Sequence, residues 1–110
     1  MKIINEIEED KKKRLIESEF LAFLIDELKL NKLYKLYYRY SPYCDYYKIY
    51  RSVTWFSGEH LIAKFNFGRG EIDIVLYGDC YLNQFKQAIQ EWEKLHKGQE
   101  ITLIITKGDC

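Results

Sequence analysis

The chain opens on charged residues and then passes into apolar positions at helical spacing, namely Ile16, Phe20, Leu21, Phe23, Leu24, Ile25 and Leu28. Asn5, with Glu8 three residues later, has the form of a capping box, and Glu6, Glu8, Glu9 and Asp10 load the first turn with charge that favours the helix dipole. A helix is predicted from there to Asn31. Glu8 with Lys12, Glu9 with Lys13 and Asp10 with Arg14 stand at i,i+4, so the basic run reads as a solvated helical turn rather than a phosphate-binding patch. The apolar positions cover about half the circumference, more than the ~100° stripe of a one-sided surface helix. Two explanations are open: a neighbouring element on the helix flank, or self-association through Phe20, Leu21, Leu24, Ile25 and Leu28.

Beyond Asn31 the pattern changes to the Tyr, Ile, Val, Thr and Trp of a pleated backbone, over Leu33 to Tyr40 and Tyr46 to Phe56. Ser41 to Asp45 and Ser57 to Glu59 are predicted turns, followed by strands from His60 to Phe67 and Glu71 to Tyr77. Gly68, Arg69 and Gly70 join those two as a hairpin, because glycine supplies the positive φ of a tight connection. A second helix is predicted after Asp79, its N-cap, with Leu82, Phe85, Ile89, Trp92 and Leu95 at helical spacing and Gly98 just past its end. The run Glu100 to Thr106, EITLIIT, is apolar enough to predict a strand buried on both faces inside the sheet. The resulting order αββββαβ is an α+β fold in one domain: a mainly antiparallel sheet of about five strands with both helices chiefly on one face.

Alternation sorts the faces of that sheet. Leu61, Ala63, Phe65, Phe67, Ile72, Ile74 and Leu76, joined by Tyr34, Leu36, Ile49, Val53 and Trp55, should face the helices. The other face should carry Lys35, Tyr37, Arg39, Tyr46, Lys48, Tyr50, Thr54, Lys64, Asn66 and Asp73. Eight of the ten tyrosines fall between Tyr34 and Tyr50, and alternation divides them, with Tyr34, Tyr38 and Tyr47 on the core side. Lys35, Tyr37, Arg39, Tyr46, Lys48 and Tyr50 are therefore the candidate binding residues.

Seventeen basic and seventeen acidic side chains leave no net charge, so only a local patch could attract nucleic acid or an anionic membrane. No apolar run is long enough to span a bilayer and the N-terminus lacks the form of a signal peptide, which makes a cytoplasmic setting the expectation. Cys44, Cys80 and Cys110 are odd in number and form no CxxC pair, so a disulfide framework is not expected, although one bridge is open.

Catalytic signals are sparse. Phosphate-loop, dinucleotide, zincin and hydrolase motifs are absent. Cys80 is expected as a small buried or edge thiol rather than a nucleophile: His96 stands sixteen residues along the same helix, ~24 Å away, and His60 begins a strand. The spacing of Cys44, Cys80, Cys110 and His60 matches no zinc knuckle or ribbon. The run Gly70-Glu71-Ile72-Asp73-Ile74-Val75 resembles the acidic GEID strand of PD-(D/E)xK-type nucleases. That resemblance implies Mg²⁺ held by Asp73, with Glu19 or Glu17 from the first helix, but the Glu-x-Lys it requires on a following strand is missing.

The expectation is thus a small non-catalytic interaction protein of the regulator, inhibitor or adaptor type, a form common among viral and mobile-element products, with no cofactor, no metal and no membrane partner. It would bind a protein partner, or itself as a homodimer, through the tyrosine-rich sheet face. Two alternatives accompany it: single-stranded nucleic-acid binding by stacking and phosphate contacts on the same face, and a metal-dependent nuclease around Glu71 and Asp73.

Overall fold

A computed structural model of the chain describes residues 1–41, 46–53, 58–68 and 71–108. Two helices and five strands follow in the order α1 (Glu6–Leu30), β1 (Leu36–Ser41), β2 (Tyr46–Val53), β3 (Gly58–Phe67), β4 (Glu71–Tyr77), α2 (Leu82–Leu95) and β5 (Glu100–Thr106). The fold is α+β, as the pattern predicted. The strands lie in sequence order, β1 through β4 antiparallel and β5 parallel to β4 after the α2 crossover.

Asn5 caps α1 as expected: its side-chain oxygen accepts from the backbone N–H of Ile7 at 3.1 Å and Glu8 at 3.2 Å. The helix ends in a tight reversal. Lys32 N–H returns to Lys29 O and Leu33 N–H to Leu28 O, each at 3.0 Å, with Lys32 in the left-handed region at φ 66°. This is the pairing of a Schellman motif, and it carries Leu33 back into the core beside Leu28. Lys35 repeats the left-handed conformation at φ 64° just before β1. The predicted strand start at Leu33 is therefore corrected to Leu36.

The core lies between one face of the sheet and both helices. Phe20 is its hub, with edge-on ring contacts to Phe65, Phe67 and Trp92 at 5.0 to 6.2 Å between centroids. Phe20, Leu21, Leu24, Ile25 and Leu28, expected as a self-association strip, are all buried in this core and are not offered to a second molecule. Phe23 covers the flank by packing on Trp92 of α2 at 5.2 Å, so the breadth of the apolar set answers to a neighbouring helix. Ile16, at 57% exposure, stands outside the core, and residues 1–16 are exposed throughout.

Four other expectations are corrected. The N-cap of α2 is Tyr81, not Asp79; Gly78, at φ 86°, and Asp79 form the turn before it. Gly58 and Glu59 belong to β3 rather than to a turn. Tyr34, at 56% exposure, is not part of the core. Most consequential, β5 is an edge strand with an exposed outer half, not a strand buried inside the sheet. Its apolar run measures β propensity without revealing how many neighbours the strand has. The predicted turn over 42–45, the placement of Thr54 and Trp55, and the side chain of Val53 lie outside the described residues.

Candidate interaction face

Opposite the helices the sheet is open, and its side chains form two clusters. In the first, Tyr37 on β1 and Tyr50 on β2 are direct cross-strand partners whose rings stack at 5.6 Å with 20° between planes. The Arg39 guanidinium lies 5.3 Å from the centroid of each ring. It also reaches across β2 to Glu59 on β3: one guanidinium nitrogen donates to Glu59 at 3.0 Å and the other donates to the second carboxylate oxygen. The Tyr37 hydroxyl donates to the same carboxylate, and desolvation together with that anion holds its pKa above the usual tyrosine value. Two rings, one guanidinium and one carboxylate thus fix one another.

The second cluster centres on Tyr46. Lys64 Nζ stands 4.4 Å and Lys48 Nζ 5.1 Å from its ring centroid, and these lysines face each other directly across β2 and β3. A hydrogen bond to the Tyr46 side chain keeps Lys48 protonated above the ordinary lysine range. No carboxylate pairs with either ammonium among the described residues. Between the clusters, Arg39, Ser41, Tyr46, Lys48 and Tyr50 line a shallow recess of about 250 Å³.

Toward β4 and β5 the sign reverses. Asp73 projects from β4 on the same face, and Glu71 stands directly opposite Glu100 of β5. The face is therefore two-sided, with paired lysines on one flank and paired glutamates on the other. Like charges placed directly opposite cost stability, so both pairs work against the isolated fold.

Of the six candidate residues, five meet here: Tyr37, Arg39, Tyr46, Lys48 and Tyr50. Lys35 stands before β1, exposed, and makes its recorded contact through its backbone oxygen, which accepts from Ser52. Arg51 turns to the helix side and donates to the Tyr81 hydroxyl at 2.8 Å. Sequence reasoning missed Glu59, because it was read as turn, and gave Lys64 no role although its alternation pointed to this face.

The residues of the nuclease resemblance do not converge. Asp73 is on the open face, whereas Glu17, 5% exposed, lies among the core residues and Glu19 is exposed on α1. No cluster of three potential metal ligands occurs among the described residues. Cys80 is disulfide-bonded, the single bridge that the sequence left open, and Cys44 and Cys110 lie outside the described residues. Among the described residues no helix is long and apolar enough to cross a membrane. No protein-family model matches the chain, no curated protein is similar to it, and no solved structure matches it.

Proposed function

We propose that the chain is a non-catalytic interaction protein that binds a protein partner through the open face of its sheet. The observation that carries this reading is the Tyr37–Arg39–Tyr50–Glu59 cluster, in which large rings and a guanidinium are already ordered. Tyr and Arg dominate interface energetics, and rings fixed before binding reduce the ordering cost of association. The two-sided charge of the face adds specificity: a partner with the reverse arrangement would relieve both the Lys48–Lys64 and the Glu71–Glu100 repulsion.

One observation favours a second reading, single-stranded nucleic acid. Lys48 and Lys64 flank an aromatic ring, which is the arrangement that holds phosphates while a base stacks. The carboxylates of the same face oppose it.

As to location, the cytoplasmic expectation rested on the lack of a bilayer-spanning run and of a signal-peptide pattern. The disulfide at Cys80 fits an oxidising compartment or the cytosol of a hyperthermophile better than an ordinary reducing cytosol.

A photo-crosslinking residue in place of Tyr50 would identify the partner in the native cell, and the purified pair would then be titrated. Tyr37→Ala and Lys64→Glu should each weaken binding about tenfold or more, while Leu95→Lys on the helix side leaves it unchanged. Equal affinity for all variants would refute the reading. Fluorescence anisotropy with a labelled oligonucleotide at two salt concentrations tests the second: absence of binding at low salt removes it.

A further inference from the structure

The two edges of the sheet differ in kind. At β1 the chain carries Arg39 and Tyr37 and begins after a left-handed residue, devices of the sort that discourage strand addition. β5 has none. From Ile101 to Thr106 it contains no charge, no proline and no bulge, it pairs with β4 along its whole length, and its other side has no strand partner among the described residues. Ile104 and Ile105, on opposite faces of the strand, are 46% and 48% exposed. An open apolar edge seven residues long presents unpaired backbone groups and uncovered side chains together, which is the template for adding another strand.

We infer that this edge pairs antiparallel with β5 of a second copy of the chain, joining two sheets into one of ten strands. The strand itself specifies the occupant. Its ends carry opposite charges, Glu100 and Lys107, so antiparallel pairing brings the basic end of the second copy to the acidic end of the first, whereas parallel pairing would bring like ends together. Glu100 faces Glu71 on its inner side and forms no ion pair among the described residues, and in the two-fold pairing its opposite number is the uncharged Thr106. A two-fold axis perpendicular to the sheet keeps both open faces on one side. Centred on Leu103, it places Ile101 opposite Ile105 and Thr102 opposite Ile104 of the second copy, covering the two exposed isoleucines. The contact closes on itself and leaves the tyrosine-bearing strands of both copies free.

The test is sedimentation of the full chain from low to high micromolar concentration, with amide exchange measured across the same range. A species of twice the 13.3 kDa chain mass is expected, with protection gained at high concentration at alternate residues of β5. Ile104→Lys, which places a charge at both symmetric positions, should weaken dimerisation about tenfold or more without altering the thermal melt. Should that variant lose cooperative unfolding, Thr102→Lys, at an exposed position on the same face, decides instead. A wild-type chain at 13.3 kDa throughout overturns the inference. So does a dimer that neither substitution weakens, or one whose β5 amides exchange as freely as in the monomer.

Discussion

Tyr47 of β2 hydrogen-bonds Glu17 of α1, joining the buried face of the sheet to a buried carboxylate on the helix. Burial, and then this bond and the Glu17 charge, push the Tyr47 pKa up to about 12 from its ordinary 10. The folded state therefore holds the tyrosine proton more tightly than the unfolded chain does. The contribution is fully present below pH 10 and is lost as pH rises toward 12. Urea titrations across that window should show a loss on the order of 2 kcal/mol. Glu17→Gln, which keeps an acceptor and removes the charge, should shrink the loss. Tyr47→Phe should abolish it and lower stability by about 1 to 3 kcal/mol at neutral pH, because the buried carboxylate loses a donor.

Lys32 occupies the position after the α1 C-cap where a Schellman motif favours glycine, at φ 66°. Lys32→Gly removes the Cβ strain but loosens the unfolded chain, and the net expectation is a gain of about 0.5 to 1 kcal/mol in chemical denaturation. Lys32→Val should be destabilising, since a β-branched residue tolerates the left-handed region least.

The Arg39–Glu59 pair lies at the surface, and surface ion pairs contribute little. Arg39→Ala and Glu59→Gln should each change stability by less than about 1 kcal/mol. Both should nevertheless loosen the Tyr37 and Tyr50 rings, visible as averaged aromatic resonances in NMR spectra. This separation makes the two variants suitable for testing partner binding without unfolding the chain.

Cys80 is held in a disulfide, so peptide mapping under non-reducing conditions should recover it covalently linked. A reductant should lower stability, by about 2 to 4 kcal/mol if the bridge closes a loop of ordinary length. An unchanged melting curve after verified reduction would show that the bridge constrains little of the unfolded chain.

Element types were legible in the sequence because each rests on local pattern. The Asn5 cap, the α2 repeat and the bounds of β4 and β5 follow from spacing and propensity over a few residues. What was not legible depends on neighbours far along the chain. Nothing within EITLIIT distinguishes an edge strand from a central one, and nothing within Phe20 to Leu28 says that α2 covers the flank. The candidate face was readable as to Tyr37, Arg39, Tyr46, Lys48 and Tyr50, since alternation holds within β1 and β2. It failed for Glu59 and Leu61 in β3.

Glu59 was assigned to a turn, and for Leu61 the cause is a bulge. β2 passes from Ile49 to Tyr50 while β3 passes from Ala63 to Leu61, so Ile62 is an inserted residue with no partner. Ile62 is fully buried and Leu61 only half-buried, the reverse of simple alternation. The bulge acts as a phase shift, placing the two ends of β3 in opposite series of side chains. Pairing Ile62 with Tyr50 in an unbulged ladder would carry Glu59 to the helix side and leave Arg39 without its carboxylate, whereas deleting Ile62 would keep Leu61 opposite Tyr50 and Glu59 on the open face. What matters is parity: one inserted residue decides which side chains of β3, Glu59 among them, supply charge to the aromatic face.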